Sequence, residues 1–211
     1  MFYYISKDSL TNGSDVTIIF QTESAIPNYK QITNFGELVE YQGDNIPNQW
    51  EFDGAYFYAL SDKPSPYHKL NENKEWVVFD MDGFKAYCLT RIDEIKAEIL
   101  EYGFDYEIDG KTHRQRCRDK DITFMGTTMT FLIGEKLTTG KDETAYWYFE
   151  DNYEYKVNLT TLTVFAKYGK TFMDAVYKAE NYFKTLEEPK LITKDEYLQK
   201  IKELQKAVLE G

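Results

Sequence analysis

Cysteine and histidine are nearly absent from this chain of 211 residues, and their absence removes whole classes of chemistry. Cys88 and Cys117 are too few for a disulfide framework. They also lie too far apart, like the isolated His68 and His113, to suggest a zinc site. No Gly-rich phosphate loop, Gly-x-Ser-x-Gly elbow or His-Glu-x-x-His run occurs. No apolar run approaches the ~20 residues of a membrane span. The N-terminal Met-Phe-Tyr-Tyr-Ile-Ser-Lys-Asp lacks the basic-then-apolar order of a signal peptide. Positive charge is also short: 25 Lys and Arg face 36 Asp and Glu, a net charge of -11. An acidic surface repels phosphate, so neither nucleic acid nor membrane is an expected partner. No catalytic residue, cofactor or metal site is expected, and the chain reads as a non-enzyme.

What is abundant is aromatic: 17% of the residues, 18 of them Tyr. Tyr joins a large ring to a hydroxyl that tolerates water, which suits half-buried strands and protein interfaces alike. Carboxylates are abundant too, so some pair lies near any chosen point. Glu150 and Asp151 beside Trp147 and Tyr148 have the makings of a sugar site, but neighbours on a hairpin point to opposite faces and cannot flank one bond. Asp80-Met-Asp-Gly83 lacks the full ligand pattern of a calcium loop and reads as a hairpin turn. Lys111, Arg114, Arg116, Arg118 and Lys120 read as a solvated strand face balancing nearby acids, or as a docking patch for an acidic neighbour.

Taken in order, residues 1–87 read as a β-hairpin-rich module. Phe2–Ile5 and Val16–Phe20 flank the turn signal Asn12-Gly13. Phe35–Tyr41 fits either one helical turn or a strand, and Gln49–Leu60 is a hairpin with Asp53-Gly54 at its tip. Asp62–Asn73 reads as a loop, followed by a second hairpin over Trp76–Tyr87 that turns at Asp82-Gly83. At Leu89 the period lengthens to that of a helix. Thr90 is its expected N-cap, Ile92, Ile95, Ile99 and Tyr102 form its stripe, and Gly103 ends it. Phe104–His113 is a hairpin through Asp109-Gly110. Asp119 then caps a helix with Ile122, Met125, Met129 and Leu132 on one stripe, although its Thr-rich body and Gly126 are weak helix formers. Ala145–Leu159 is a hairpin with Asp151-Asn152 at the tip. A long core helix follows, capped near Thr160 or Thr161, with Leu162, Phe165, Gly169, Phe172, Val176, Ala179, Phe183 and Leu186 inward. After Pro189, the capping box Thr193-x-x-Glu196 starts a last helix carrying Tyr197, Ile201, Leu204 and Val208 at heptad-like spacing. Those four residues are the candidate protein-interaction residues, either packing back on the domain or docking on a partner. The expected fold class is α+β, divided as residues 1–87, residues 88–189 (antiparallel hairpins packed on helices) and a C-terminal docking helix, 190–211.

The order from Arg91 to Glu188 carries a resemblance. A helix, then Gly103-Phe-Asp-Tyr-Glu-Ile-Asp-Gly-Lys-Thr112, an Asp-started helix, Trp147, Asp151-Asn152 and the Leu159-Thr160 entry into a long helix follow one another. This segment resembles a domain of unknown function that recurs in bacteriophage and prophage tail-fibre and tail-fibre-assembly proteins. Its last helix is richer in aromatics and poorer in Ala than that family's. The family has no established catalytic residues to carry over. The resemblance implies a virion tail protein, assembled in the host cytoplasm, that binds fibre, baseplate or collar proteins and is open to self-association. A tail-fibre assembly chaperone and a carbohydrate-binding adhesin for host attachment are the alternatives.

Overall fold

The computed structural model describes residues 1–12 and 15–209, with side chains through Lys206. The fold is α+β and divides into two compact units, Met1–Phe84 and Lys85–Gly211.

In the first unit a three-stranded antiparallel sheet runs in the order β2-β1-β3, from β1 (Phe2–Ser6), β2 (Ile18–Thr22) and β3 (Leu38–Gln42). Between β1 and β2 lies one short helix, α1 (Lys7–Thr11), where a tight turn at Asn12-Gly13 was expected; Gly13 lies outside the described residues. The central strand buries Tyr3 and Ile5 against Leu10, Val39 and Phe57, a small core rimmed by half-buried rings. Its Tyr4 points elsewhere and is equally buried; the hydroxyl donates to Glu40 (3.0 Å) and accepts the Ile26 N–H. The hairpin at Asp53-Gly54 is present as β4 (Trp50–Phe52) and β5 (Phe57–Ala59). The expected hairpin at Asp82-Gly83 is not. Instead β7 (Trp76–Val78) pairs backwards with β6 (His68–Leu70), inside the stretch expected to be loop. Two local contacts decide this. The Asn71 carboxamide oxygen accepts from the N–H groups of Asn73 and Glu75 (2.9 Å each), closing the turn one hairpin early. The Asp80 carboxylate accepts the Gly83 N–H at 2.9 Å, so Asp80 caps a helix and Asp82-Gly83 becomes its first turn.

That helix, α2 (Met81–Tyr102), therefore starts nine residues before the expected cap. Thr90 lies inside it, its hydroxyl donating to the Ala86 carbonyl rather than capping. Ile92, Ile95 and Ile99 are buried as the spacing predicts, while Tyr102 is about half exposed. Gly103 ends the helix at φ +79, with its N–H on the Ile99 carbonyl (2.8 Å). A Cβ there would lie 1.7 Å from the Gln115 carbonyl oxygen, so only glycine lets the following strand come in this close.

The second unit continues with the hairpin β8 (Phe104–Ile108) and β9 (Lys111–Gln115), turning at Asp109 (φ +51) and Gly110 (φ +75). Helix α3 (Asp119–Thr139) follows, then the hairpin β10 (Thr144–Tyr148) and β11 (Glu154–Asn158), then the long helix α4 (Leu159–Lys184). Two caps differ from expectation by one to three residues. Arg118 precedes α3, and the Asp121 carboxylate accepts both its backbone N–H and its guanidinium. Asn158 caps α4: its side-chain oxygen accepts the Thr161 N–H, and the Thr161 hydroxyl oxygen accepts the Asn158 N–H, each at 2.9 Å. Leu162, Phe165, Gly169, Phe172, Val176 and Ala179 line the buried face of α4 against the hairpins, with Trp147 and Val157 fully enclosed. On its other side Lys96 and Lys184 bridge Asp93 of α2 and Glu180 of α4 at 2.6–3.1 Å.

Candidate protein-interaction surface

The last helix, α5 (Lys194–Leu209), is held at its start by the predicted capping box: the Glu196 carboxylate accepts the Thr193 N–H (2.8 Å) and the Thr193 hydroxyl oxygen accepts the Glu196 N–H (3.2 Å). Its apolar stripe turns inward. Tyr197 is fully buried, Ile201 is nearly so, and Leu204 packs half-buried on the same core; the side chain of Val208 lies outside the described residues. The Tyr197 hydroxyl donates to the Val176 carbonyl (2.9 Å), and burial pushes its pKa up. A heptad-like stripe that finds α4 beside it is satisfied within the chain. Tyr197 and Ile201 are therefore core residues, with Leu204 half-buried beside them, and 190–211 groups with the second unit.

The arginines of the basic run that begins on β9 and continues past it are matched by acids. Arg116 reaches Glu150 (2.9 Å) and Glu101 (3.0 Å). Arg118 reaches Asp121 (2.8 Å) and Glu150 (3.2 Å), and the Arg114 guanidinium lies 5.1 Å over the Tyr102 ring. Alternation puts the three arginines on one line, and Glu101, Asp121 and Glu150 cancel their charge, which leaves little field for a phosphate backbone. Glu150 and Asp151 do not flank a common point. They sit in the β10–β11 turn, where Glu150 faces the arginines and Asp151 bonds His113 Nδ1 at 2.8 Å.

His113 is the one buried side-chain group among the described residues with an unpartnered polar atom, its Nε2. An ionised Asp151 only accepts, so Nδ1 donates to it, and Nε2 has no partner. The ring stacks on Tyr153 at 3.9 Å, and with Nδ1 on Asp151 it works as a clasp between the two hairpins. Deeper in, Trp147 Nε1 donates to the Gln115 side-chain oxygen (2.8 Å). The Cys117 thiol is buried and its pKa pushed up to about 12 by that burial, which makes it a poor nucleophile. No group of three or more His, Cys, Asp or Glu able to hold a metal occurs among the described residues, and no described helix is long and apolar enough to cross a membrane.

The unsatisfied apolar surface is on α3. From Ile122 to Gly134 this helix carries no charge. Its inner line, Thr128 and Leu132 with Met125 and Met129 beside them, packs on the core. Ile122, expected on that line, is 40% exposed, as are Phe124 (53%), Phe131 (53%), Ile133 (42%) and Leu137 (82%). Phe124 still stacks on Trp147 at 5.2 Å, which ties the exposed surface to the centre of the core. An apolar groove of about 300 Å³ runs between α3 and α4, floored by Met125, Met129 and Met173. The sequence held the signal for this surface in its uncharged run, but a count of inward positions does not notice apolar residues that fall outside the stripe. No family model, no curated protein and no solved structure matches this chain.

Proposed function

We propose that the chain is a structural or accessory component of a bacteriophage tail that acts by protein–protein binding, with α3 as its docking helix. The observation that carries the binding reading is the uncharged, outward face of α3 on a chain of net charge -11. Exposed apolar patches of this size on otherwise charged proteins mark interaction sites. The assignment to a tail rests on the resemblance: α2, the Asp109-Gly110 hairpin, α3, the Trp147 hairpin and α4 follow the order that carries it. Fibre, baseplate and collar proteins are the partners this reading names.

The test is mass spectrometry of purified particles together with an α3 variant. The chain is expected among the virion proteins. Ile133→Glu is expected to lower its incorporation roughly tenfold, the scale of losing one apolar anchor at an interface, while the circular dichroism of the purified chain stays unchanged. Absence from particles would overturn the structural reading. If co-expression then raised the yield of folded fibre, the assembly-chaperone role would take its place.

A further inference from the structure

We infer that the first unit holds a binding site for a small aromatic oxyanion, a phosphate monoester or carboxylate attached to a ring, in the cavity between the start of α1, β3 and the tip of the β4–β5 hairpin.

The cavity measures about 410 Å³, room for a small organic molecule rather than a lone ion. Four separate stretches of chain build it. Lys7 comes from the first turn of α1, Tyr29 and Lys30 from a 3-10 turn, Leu38 and Val39 from the start of β3, and Tyr56 from the hairpin tip. Leu38 and Val39 are buried and give an apolar floor. At the tip, the Asp53 carboxylate accepts the Ala55 and Tyr56 N–H groups (2.9 and 2.8 Å), which fixes where Tyr56 stands. Gly54 beside it has φ +94 and open space where a Cβ would be, so the turn places no side chain across the cavity.

Charge selects an anion. On a chain with 25 basic and 36 acidic residues, two lysines line this cavity against one carboxylate, Glu37. The Lys7 ammonium gives one of its three N–H donors to Glu37 at 2.6 Å, and Glu37 itself lies out in solvent. Lys30 has no acceptor in reach among the described residues. The next carboxylate, Glu40, is already held by the Tyr4 hydroxyl (3.0 Å) and by Lys74 (3.3 Å), so it does not cancel Lys30. An excess positive charge with unused donors therefore faces the cavity, and a compact ammonium pairs with phosphate or carboxylate as a point charge. The tyrosines select a ring. Tyr29 packs on the buried Tyr4 at 5.0 Å, which holds it in place, and Tyr56 stands at the hairpin side of the same cavity. Burial first, then the Glu40 charge, raises the Tyr29 pKa, so its hydroxyl stays protonated. A nucleic-acid backbone needs a line of such cations and meets acids elsewhere on this chain, so the site suits a small anion only.

Amide chemical-shift titration of the full-length chain with phenyl phosphate, benzoate and phenol tests this. Phenyl phosphate is expected to give saturable shifts grouped at Lys30, Val39, Gly54 and Ala55. Benzoate is expected to move the same amides, and the tighter of the two names the head group. Lys30→Gln, an exposed change, should weaken binding roughly tenfold, while Lys69→Gln, outside the cavity, should leave it unchanged. Glu37→Gln should tighten it severalfold by freeing Lys7. No saturable shift up to about 10 mM of either anion, shifts scattered over the surface, or phenol matching phenyl phosphate would overturn the inference. So would Lys30→Gln and Glu37→Gln variants that bind as the wild type does. The site lies wholly in the first unit, so either result leaves the docking role of α3 untouched.

Discussion

Two residues in the second unit have no acceptable substitute for stated geometric reasons. Gly103 combines a positive φ with the Gln115 carbonyl where a Cβ would stand. Gly103→Ala is expected to cost about 2 kcal/mol or more, read as a lower urea midpoint with an unchanged slope. Gln115 satisfies the buried indole N–H of Trp147. Gln115→Leu leaves that donor unpaired and should cost about 1–3 kcal/mol, with a shift in Trp fluorescence as the ring relaxes. The Asp151–His113 clasp brings pH dependence. The hydrogen bond from His113 holds the Asp151 carboxyl below its ordinary value. A depressed carboxyl contributes stability that is present above its ordinary value near 3.8 and is lost as the pH falls through the folded value. In denaturation series from about pH 7 to about pH 3, Asp151→Asn should flatten the acid limb. An acid limb as steep as that of the wild type would remove the clasp from the account. None of these contacts could be read from the chain, because each joins residues that only the pairing of hairpins brings together.

Among the elements, the predictions held where the local signal was complete and shifted where a second signal competed. The Asp109-Gly110 and Asp53-Gly54 hairpins and the buried stripe of α4 from Leu162 to Ala179 stand where the pattern put them, while Phe183 is only half-buried and Leu186 lies past the end of the helix. Asp82-Gly83 carried the same turn signal, but Asp80 captured Gly83 as a helix cap and moved the start of α2 ahead of Thr90. An Asp just before an Asp-Gly pair reads as part of a turn or as a helix cap with equal ease, and the outcome depends on whether Trp76 pairs forwards or backwards. Helix α5 tests its capping box directly. Thr193→Ala should cost about 1 kcal/mol, with amide exchange in α5 rising before that in α4. The Lys190 ammonium and the Thr193 N–H hold the Glu196 carboxyl low, so this cap too is complete above the ordinary carboxylate value and is lost as the pH falls through the lowered one.

For the whole molecule, the division at Phe84 and Lys85 separates a small core built on Tyr3, Ile5, Leu10, Val39 and Phe57 from a larger one centred on Trp147 and Phe165. Stability rises with the apolar surface a unit can enclose, so the first unit should melt first. Calorimetry of the full chain is expected to show two transitions, and one cooperative transition would overturn independent units. Net charge adds a second expectation at this scale. An apolar contact through α3 with another acidic protein should tighten as salt screens their repulsion, whereas a contact held by opposite charges would loosen. Sedimentation at low and high salt distinguishes the two.

The sequence by itself determined the α+β class, the boundaries at Gly103 and Asp109-Gly110 in the second unit, and the inward face of α4. Each of these follows from side-chain period and backbone conformation, which are local properties. Only the tertiary structure decided where the surplus apolar surface ends up. The stripe on α5 had the spacing of a docking helix, yet α4 lies beside it and buries Tyr197 and Ile201. The helix with two glycines and six threonines from Ile122 to Thr139 looked weak, yet it is α3 that keeps an apolar face in water. Periodicity tells which side chains share a face. Which face finds a neighbour depends on packing across the chain, so the exposed surface was legible only once the core had been filled.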